Sequence, residues 1–379
     1  MTAETTLTNA LLVLPDRVEA GTLLVRDGLI AELQPGPSRL PGAIDLEGDH
    51  LIPGVIDVHT DNLERQVLPR SAARWPSRSA FLAHDAQTAA AGVTTVLDAL
   101  CLGDLGFDAE RTETFLNGVA DLDALAPTGL LKSEHFLHLR CELPAPDLLP
   151  LLERVADHPA VRMASLMDHS PGVGQYVDVE RYRAMRLRGG LSADEVDRRI
   201  ANLLEQRERL RGPQRRALLD RLAHRHLPLA SHDDWDEEEI AGNAADGVLI
   251  SEFPVSLQAA RSARRHGMEI IAGAPNIVRG GSHSGNVAAA DLVRAGLVDV
   301  FASDYVPPAM IEAVWRAVAQ TGISLPAAVA TITDAPARML RMQDRGRLEA
   351  GRRADLVRLR PLDGIPVVRS VWREGSRIA

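Results

Sequence analysis

Between residues 55 and 304 the chain alternates eight short apolar runs with stretches of helical periodicity. The runs cover residues 55–61, 94–100, 136–142, 161–169, 228–232, 248–253, 269–274 and 298–304. Runs of this length, rich in Val, Ile, Leu and Ala and bounded by turn residues, read as buried strands. Helical patterns fall between them, at 79–91, 192–223, 256–266 and 307–320. The second opens Ser192-Ala193-Asp194-Glu195, the spacing of a capping box, and the first and third stop at Gly92 and Gly267. Eight strand-then-helix units in about 250 residues are the arithmetic of a (β/α)8 barrel, and the same alternation also fits a doubly wound sheet.

The chain has 379 residues, more than a barrel needs. Its first ~50 residues carry short strand-like runs at 11–14, 21–25 and 29–33, parted by turn signals such as Arg26-Asp27-Gly28 and Pro35-Gly36-Pro37. The last ~35 look alike, with runs at 354–359 and 367–375. The expectation is that residues 1–52 and 345–379 pair as one small β-domain, with the barrel, residues 53–344, inserted between them.

In a barrel, chemistry gathers where strands end. The first run ends His59-Thr60-Asp61, and residues two apart on a strand share a face, so His59, Asp61 and Asp57 point one way. The third places His138, Arg140 and Glu142 on one face. The fourth ends Asp168-His169, the fifth Ser231-His232-Asp233-Asp234, the sixth Ser251-Glu252-Phe253-Pro254 and the eighth Ser303-Asp304-Tyr305. Imidazoles and carboxylates meeting at one mouth are what a divalent metal needs. Simpler roles fit single residues. His138 can be a core histidine bonded to Arg140 or Glu142, and Asp233-Asp234 can begin an acidic run into Glu239, most of it the solvated first turn of a helix. Asp57 can stand behind an imidazole, His84 can be structural, His224 and His226 can lie on the surface, and Asp334 can cap a helix before Ala335-Pro336.

After the seventh run, Asn276 to Asn286 mixes Gly, hydroxyls, Arg279 and His283 ahead of a helix. Such a loop offers backbone N–H groups and donors to phosphate oxygens. The formal net charge of −10 (42 basic, 52 acidic residues) argues against nucleic-acid binding, so an anionic substrate requires a locally positive site. The two cysteines, Cys101 and Cys141, lie in apolar runs and are expected reduced and buried. No run is long enough for a membrane span and no basic-then-apolar leader opens the chain, so a cytoplasmic location is expected. The Arg-rich segment 181–225 reads as a long solvated helical insertion that could cover a site.

These residues resemble the amidohydrolase superfamily: a metal-dependent (β/α)8 barrel with a small β-sandwich built from both chain ends. Pro53-Gly54 leading to Ile56-Asp57 and His59, the strand-eight Asp304, and Gly351 through Ala354-Asp355-Leu356-Val357 carry the likeness. The superfamily's usual His-x-His is here His59-Thr60-Asp61. That departure is similar to the phosphonate-metabolism amidohydrolases of the carbon–phosphorus lyase pathway. So are His59 to Glu64, Pro69-Arg70, Trp75-Pro76, His138-x-Arg140-Cys141-Glu142, Met167 to Gly172, Ser231 to Asp234 and Gly273 to Asn286. The resemblance implies hydrolysis of α-D-ribose 1-methylphosphonate 5-triphosphate to the 5-phosphate and pyrophosphate. It implies two divalent cations, Zn or Mn, on His59, Asp61, Glu142, His169, His232 and Asp304. Asp304 would be the general base, and Arg140, Asn276, Arg279 and His283 the substrate contacts. Asp61 is open to either role, ligand or substrate contact. The superfamily often bridges its metals with a carboxylated lysine; Lys132 is this chain's only lysine and sits ten residues before Glu142, about 33 Å in extended chain, so Glu142 is the expected bridge. The expected partner is a small phosphorylated ribose, with no nucleic acid and no membrane, in a homodimer. Cleavage of a C–N bond on the same scaffold, or a metal-free scaffold without activity, are the competing expectations.

Overall fold

The computed structural model describes residues 4–70, 73–105, 110–188, 190–282 and 285–379. The chain opens with β1 (Glu4–Val13), β2 (Val18–Arg26), β3 (Leu29–Pro35), β4 (Ile44–Asp45) and β5 (His50–Pro53). It then builds β6 (Val55–Thr60), β7 (Val93–Leu102), β8 (Glu134–Glu142), β9 (Val161–Met167), β10 (Leu229–His232), β11 (Ile250–Glu252), β12 (Glu269–Gly273) and β13 (Val300–Ala302). It returns through β14 (Leu356–Leu362), β15 (Ile365–Arg373) and β16 (Ser376–Arg377).

The first and last groups form one mixed sheet, ordered β16-β15-β14-β5-β1-β2-β3 with β4 on the side of β1. The join is β5, parallel to β1 and antiparallel to β14. Leu7, Leu12, Leu23, Ile30, Leu51, Leu356 and Trp372 bury their side chains in a core of its own. Both chain ends thus share one sheet, as their matching composition suggested.

The middle eight strands pair in sequence order, β6 through β13, all parallel. Each overlies one of the expected apolar runs. A doubly wound sheet would reverse its strand order partway, so this order excludes it. β6 and β7 are buried along their whole length, which is why their sequences show no regular apolar–polar alternation.

β6 and β13 meet only at their upper ends. Lower down, the main chain at Thr331 and Ile332 stands between them, accepting from Phe301 N and Ile56 N at 3.1 and 2.9 Å. Higher up, the Asp57 carboxylate accepts from Ser303 N at 3.0 Å. At the top, Asp304 N donates to His59 O at 3.0 Å and Asp61 N donates to Asp304 O. The barrel therefore closes through the residues that carry its metal-type side chains.

Helices follow the sequence signals closely. Ser192 Oγ accepts from Glu195 N at 3.3 Å and caps Ala193–Leu222. Gly92 and Gly267 end their helices at φ +90° and +76°, a conformation costly for other residues. Asp334 departs from expectation: Thr333 holds the cap position, and Asp334 is the first helical residue of Asp334–Met339, its carboxylate held by Arg347. The Arg-rich insertion forms Val179–Arg188 and Ala193–Leu222, and Arg207 and Arg211 fasten it to Asp168 at 2.7 and 3.0 Å. Both cysteines are buried and free. Among the described residues no helix is long and apolar enough to cross a membrane.

Candidate metal centre

A cavity of about 450 Å³ opens at the C-terminal ends of the barrel strands. His59, Asp61, Arg140, Glu142, His169, His232, Asp233 and Asp304 all line it. Three strand exits in this region take left-handed backbone at non-glycine residues: Asp233 (φ 56°), Phe253 (φ 57°) and Asp304 (φ 56°). Such strain persists only where the surroundings enforce it, and it concentrates at functional sites.

The side chains fall into two groups. In one, His59, Asp61 and Asp304 each bring a ligand atom within 4.8 Å of the others. In the second, His169, His232 and Asp233 do the same. Within them, His59 Nε2 lies 3.4 Å from Asp61 Oδ1, and Asp233 Oδ2 lies 3.9 and 3.7 Å from the Nε2 atoms of His169 and His232. The two spacings at Asp233 are too long for hydrogen bonds. Ligand atoms about 2.0–2.2 Å from one tetrahedral ion stand roughly 3.4 Å apart, which is the range seen here. Asp233 Oδ2 is moreover buried with no hydrogen-bond partner among the described residues, an arrangement that costs free energy unless a cation meets it. The residues present fit a divalent metal.

Carboxylates hold the imidazoles from behind. Glu252 accepts from His59 Nδ1 through one oxygen and from His232 Nδ1 through the other, both at 2.7 Å. Glu142 accepts from His169 Nδ1 at 2.6 Å and from His169 N at 2.8 Å. Each bond fixes the tautomer that leaves an Nε2 lone pair toward the cavity. Burial alone would lower the His59 pKa, but Glu252 and Asp61 raise it to about 10. The surrounding acids call for positive charge at Nε2, which a proton or a divalent cation supplies. Burial pushes Asp304 up to about 6, with the Asp61 charge adding to it. Burial would also raise Asp61, yet the Arg140 guanidinium holds it well below the usual carboxylate range.

The residues anticipated from sequence divide as follows. His59, Asp61, His169, His232 and Asp304 meet in the two groups. Glu142 reaches the cavity wall, but both its oxygens are spent on His169. Arg140 is buried with Nη1 on Asp61 Oδ1. Asn276 braces the neighbouring loop, donating to Val287 O at 3.0 Å and accepting from Ala289 N at 2.8 Å. Arg279 lines the cavity from the end of Ala274–Arg279, and His283 lies outside the described residues. Lys132 donates to the Ile378 carbonyl at 2.7 Å and is absent from the cavity lining.

Two residues escaped the sequence reading. The acidic run does supply a first helical turn, Glu237 to Glu239 under an Asp236 cap, but Asp233 and Asp234 precede it: Asp233 faces the imidazoles, and Asp234 is buried against Ser231, Ser251 and Asn243. Glu252 was visible as a strand-end acid, but its position beneath two histidines from other strands was not. His138 is a core histidine, bonded to Val58 O and Ser165 rather than to Arg140 or Glu142. Arg111 and Arg186 join Arg140 and Arg279 around the cavity, and Arg186 comes from the Arg-rich insertion, which thereby forms part of the cavity wall. A second buried set, His84, Asp98 and His135, has spacings of 2.7 and 2.9 Å; these are ordinary hydrogen bonds, so it is a structural network.

The amidohydrolase family model matches residues 216–379. The α-D-ribose 1-methylphosphonate 5-triphosphate diphosphatase of Escherichia coli (strain K12) is 40% identical over 373 residues, covering 98% of this chain and 99% of that protein. The crystal structure of N-acetylglucosamine-6-phosphate deacetylase from Pasteurella multocida superposes with a TM-score of 0.62 at 13% identity, covering 99% of each chain. That of 5-methylcytosine deaminase from Klebsiella pneumoniae gives 0.61 at 16% identity, covering 99% of this chain and 98% of the other. At such identities the two structures speak for the fold alone.

Proposed function

This chain belongs to the amidohydrolase family, and from that premise we propose that it is a metal-dependent diphosphatase cleaving α-D-ribose 1-methylphosphonate 5-triphosphate to the 5-phosphate and pyrophosphate. The observation that carries the proposal is a single cavity with cation-seeking His and Asp groups on one side and Arg140, Arg279, Arg111 and Arg186 among its other lining residues. A triphosphate carries several negative charges, and only a locally positive site in a chain of net charge −10 can receive it. The diphosphatase relative, matched over nearly its whole length, supports the same assignment.

His59, Asp61 and Asp304 would hold one cation, and His169, His232 and Asp233 a second, with Zn or Mn the expected ions. Glu142 is assigned to orienting His169 rather than to bridging. When bound, such cations supply water ionised near neutral pH and offset charge on phosphoryl oxygens. Asp304 takes the proton from the attacking water, its carboxyl lining the cavity beside His59 and Asp61. Arg140 and Arg279 grip the chain of phosphates; a guanidinium offers its donors as a fork that matches phosphate oxygens. Arg140 also keeps Asp61 ionised at the end of β6.

The test is a product assay over ribose and nucleoside triphosphates with excess Zn²⁺ or Mn²⁺. Release of pyrophosphate is expected. Orthophosphate would move the cleavage to the terminal anhydride, and no phosphate product alongside turnover of cyclic amides or amino sugars would replace this reading with C–N bond hydrolysis.

A further inference from the structure

We propose that Glu252 ties the two cation groups together, so that one carboxylate sets the cation affinity of both; this rests on the reading above that both groups hold cations. Glu252 is fully buried at the end of β11. Its two oxygens go to two different histidines, each at 2.7 Å. Those histidines serve different groups: His59 stands with Asp61 and Asp304, His232 with His169 and Asp233. Their rings lie nearly parallel, 19° apart with centroids 5.9 Å from one another, as two imidazoles hung from one carboxylate would. Ser165 Oγ, 2.9 Å from the His232-bonded oxygen, fixes the carboxylate from a third side, and His138 backs that hydroxyl.

The chemistry follows from the donor inventory. An ionised carboxylate has acceptors only, so both histidines must present Nδ1–H to it and both must turn an Nε2 lone pair outward. Both oxygens of one carboxylate are committed to the two rings at once, so a displacement of Glu252 disturbs the support of both imidazoles together. Glu142 makes the corresponding bond to His169 alone, so it provides a one-site comparison.

Mn²⁺ uptake by the full-length chain, titrated in competition with a chromogenic chelator, reads both sites without any need for turnover. The wild type is expected to take two ions per chain. Glu252→Gln keeps the shape but turns an amide N–H₂ toward one imidazole, forcing that ring into the wrong tautomer. It is expected to weaken both ions, about 10- to 100-fold, as loss of a partner behind a ligating histidine does. Glu142→Gln is expected to weaken one ion only. Ser165→Ala retains the carboxylate and covers the case in which Glu252→Gln does not fold; it is expected to weaken both ions in parallel by a smaller factor. A folded Glu252→Gln that loses affinity at one ion or at neither overturns the coupling and leaves the metal reading standing, as do unchanged affinities in Ser165→Ala. A wild type that binds no ion, or a single one, overturns the two-cation reading itself and the coupling with it.

Discussion

Asp304 sits where main chain and side chain do separate jobs. Its amide and carbonyl join β13 to β6, while its carboxyl faces the cavity. Asp304→Asn retains the main-chain contacts and a ligand oxygen but accepts no proton. Turnover is expected to fall about 10²- to 10⁴-fold with bound cation nearly unchanged, read by steady-state rates beside metal content; near-normal turnover would remove it from the base role. Arg140→Ala takes away a charge-assisted bond worth about 1.5–3 kcal/mol, so kcat/KM for the triphosphate is expected to drop roughly 10- to 100-fold. An equal loss for a neutral amide substrate would argue that Arg140 only supports Asp61. At this scale the sequence was legible wherever period two and a strand end sufficed, as for His59, Asp61, His169, His232 and Asp304. Asp233 was lost because it directly follows His232, off the period-two face, and opens an acidic run that reaches Glu239. Glu252 was lost because its meaning lies across the barrel, in partners 193 and 20 residues away.

Between elements, a buried polar network ties the helix Ser77–Ala90 to the barrel wall. His84 bonds Asp98 on β7, and His135 on β8 bonds both Asp98 and Asp85. Burial alone would lower the His135 pKa, but Asp98 and Asp85 raise it to about 9, above its unfolded value. Its stabilising contribution is therefore complete below about pH 6.5 and fades as pH climbs through about 9. Asp98 and Asp85 are shifted downward, so their contribution is present above the usual carboxylate range and lost in acid. His135→Ala is expected to cost about 3–5 kcal/mol at pH 6, with a smaller gap from wild type at pH 10, by urea denaturation. A gap independent of pH would show that lost packing dominates. The insertion answers to a different anchor. Asp168→Ala frees Arg207 and leaves Arg211 only its Glu239 partner, and is expected to speed amide exchange across Val179–Arg188 and raise KM several-fold, since that helix lends Met185 and Arg186 to the cavity. Element positions were readable from capping and periodicity; the Arg-rich element was a candidate for the mouth, but a charged helix looks alike whether it faces solvent or a substrate.

For the molecule as a whole, alternation narrowed the fold to a barrel or a doubly wound sheet, the family resemblance favoured the barrel, and matching composition at the two ends suggested their shared sheet. The uneven way in which the barrel shuts could not be read from any run of residues, because it depends on the Thr331–Ile332 segment arriving from far along the chain. Its consequence is mechanical. The final stave is fastened at the rim by His59, Asp61 and Asp304, the same residues expected to clasp a cation. Saturation at 100 times Kd adds about 2.7 kcal/mol to a folded state. Stripping the ion with a chelator should accordingly loosen this rim before the opposite wall, with the amides of Asp61 and Asp304 exchanging ahead of those in β8. An enzyme built so would register an emptied centre as a gaping cask, and scarcity of metal would reach the cell as fragile protein as well as idle protein.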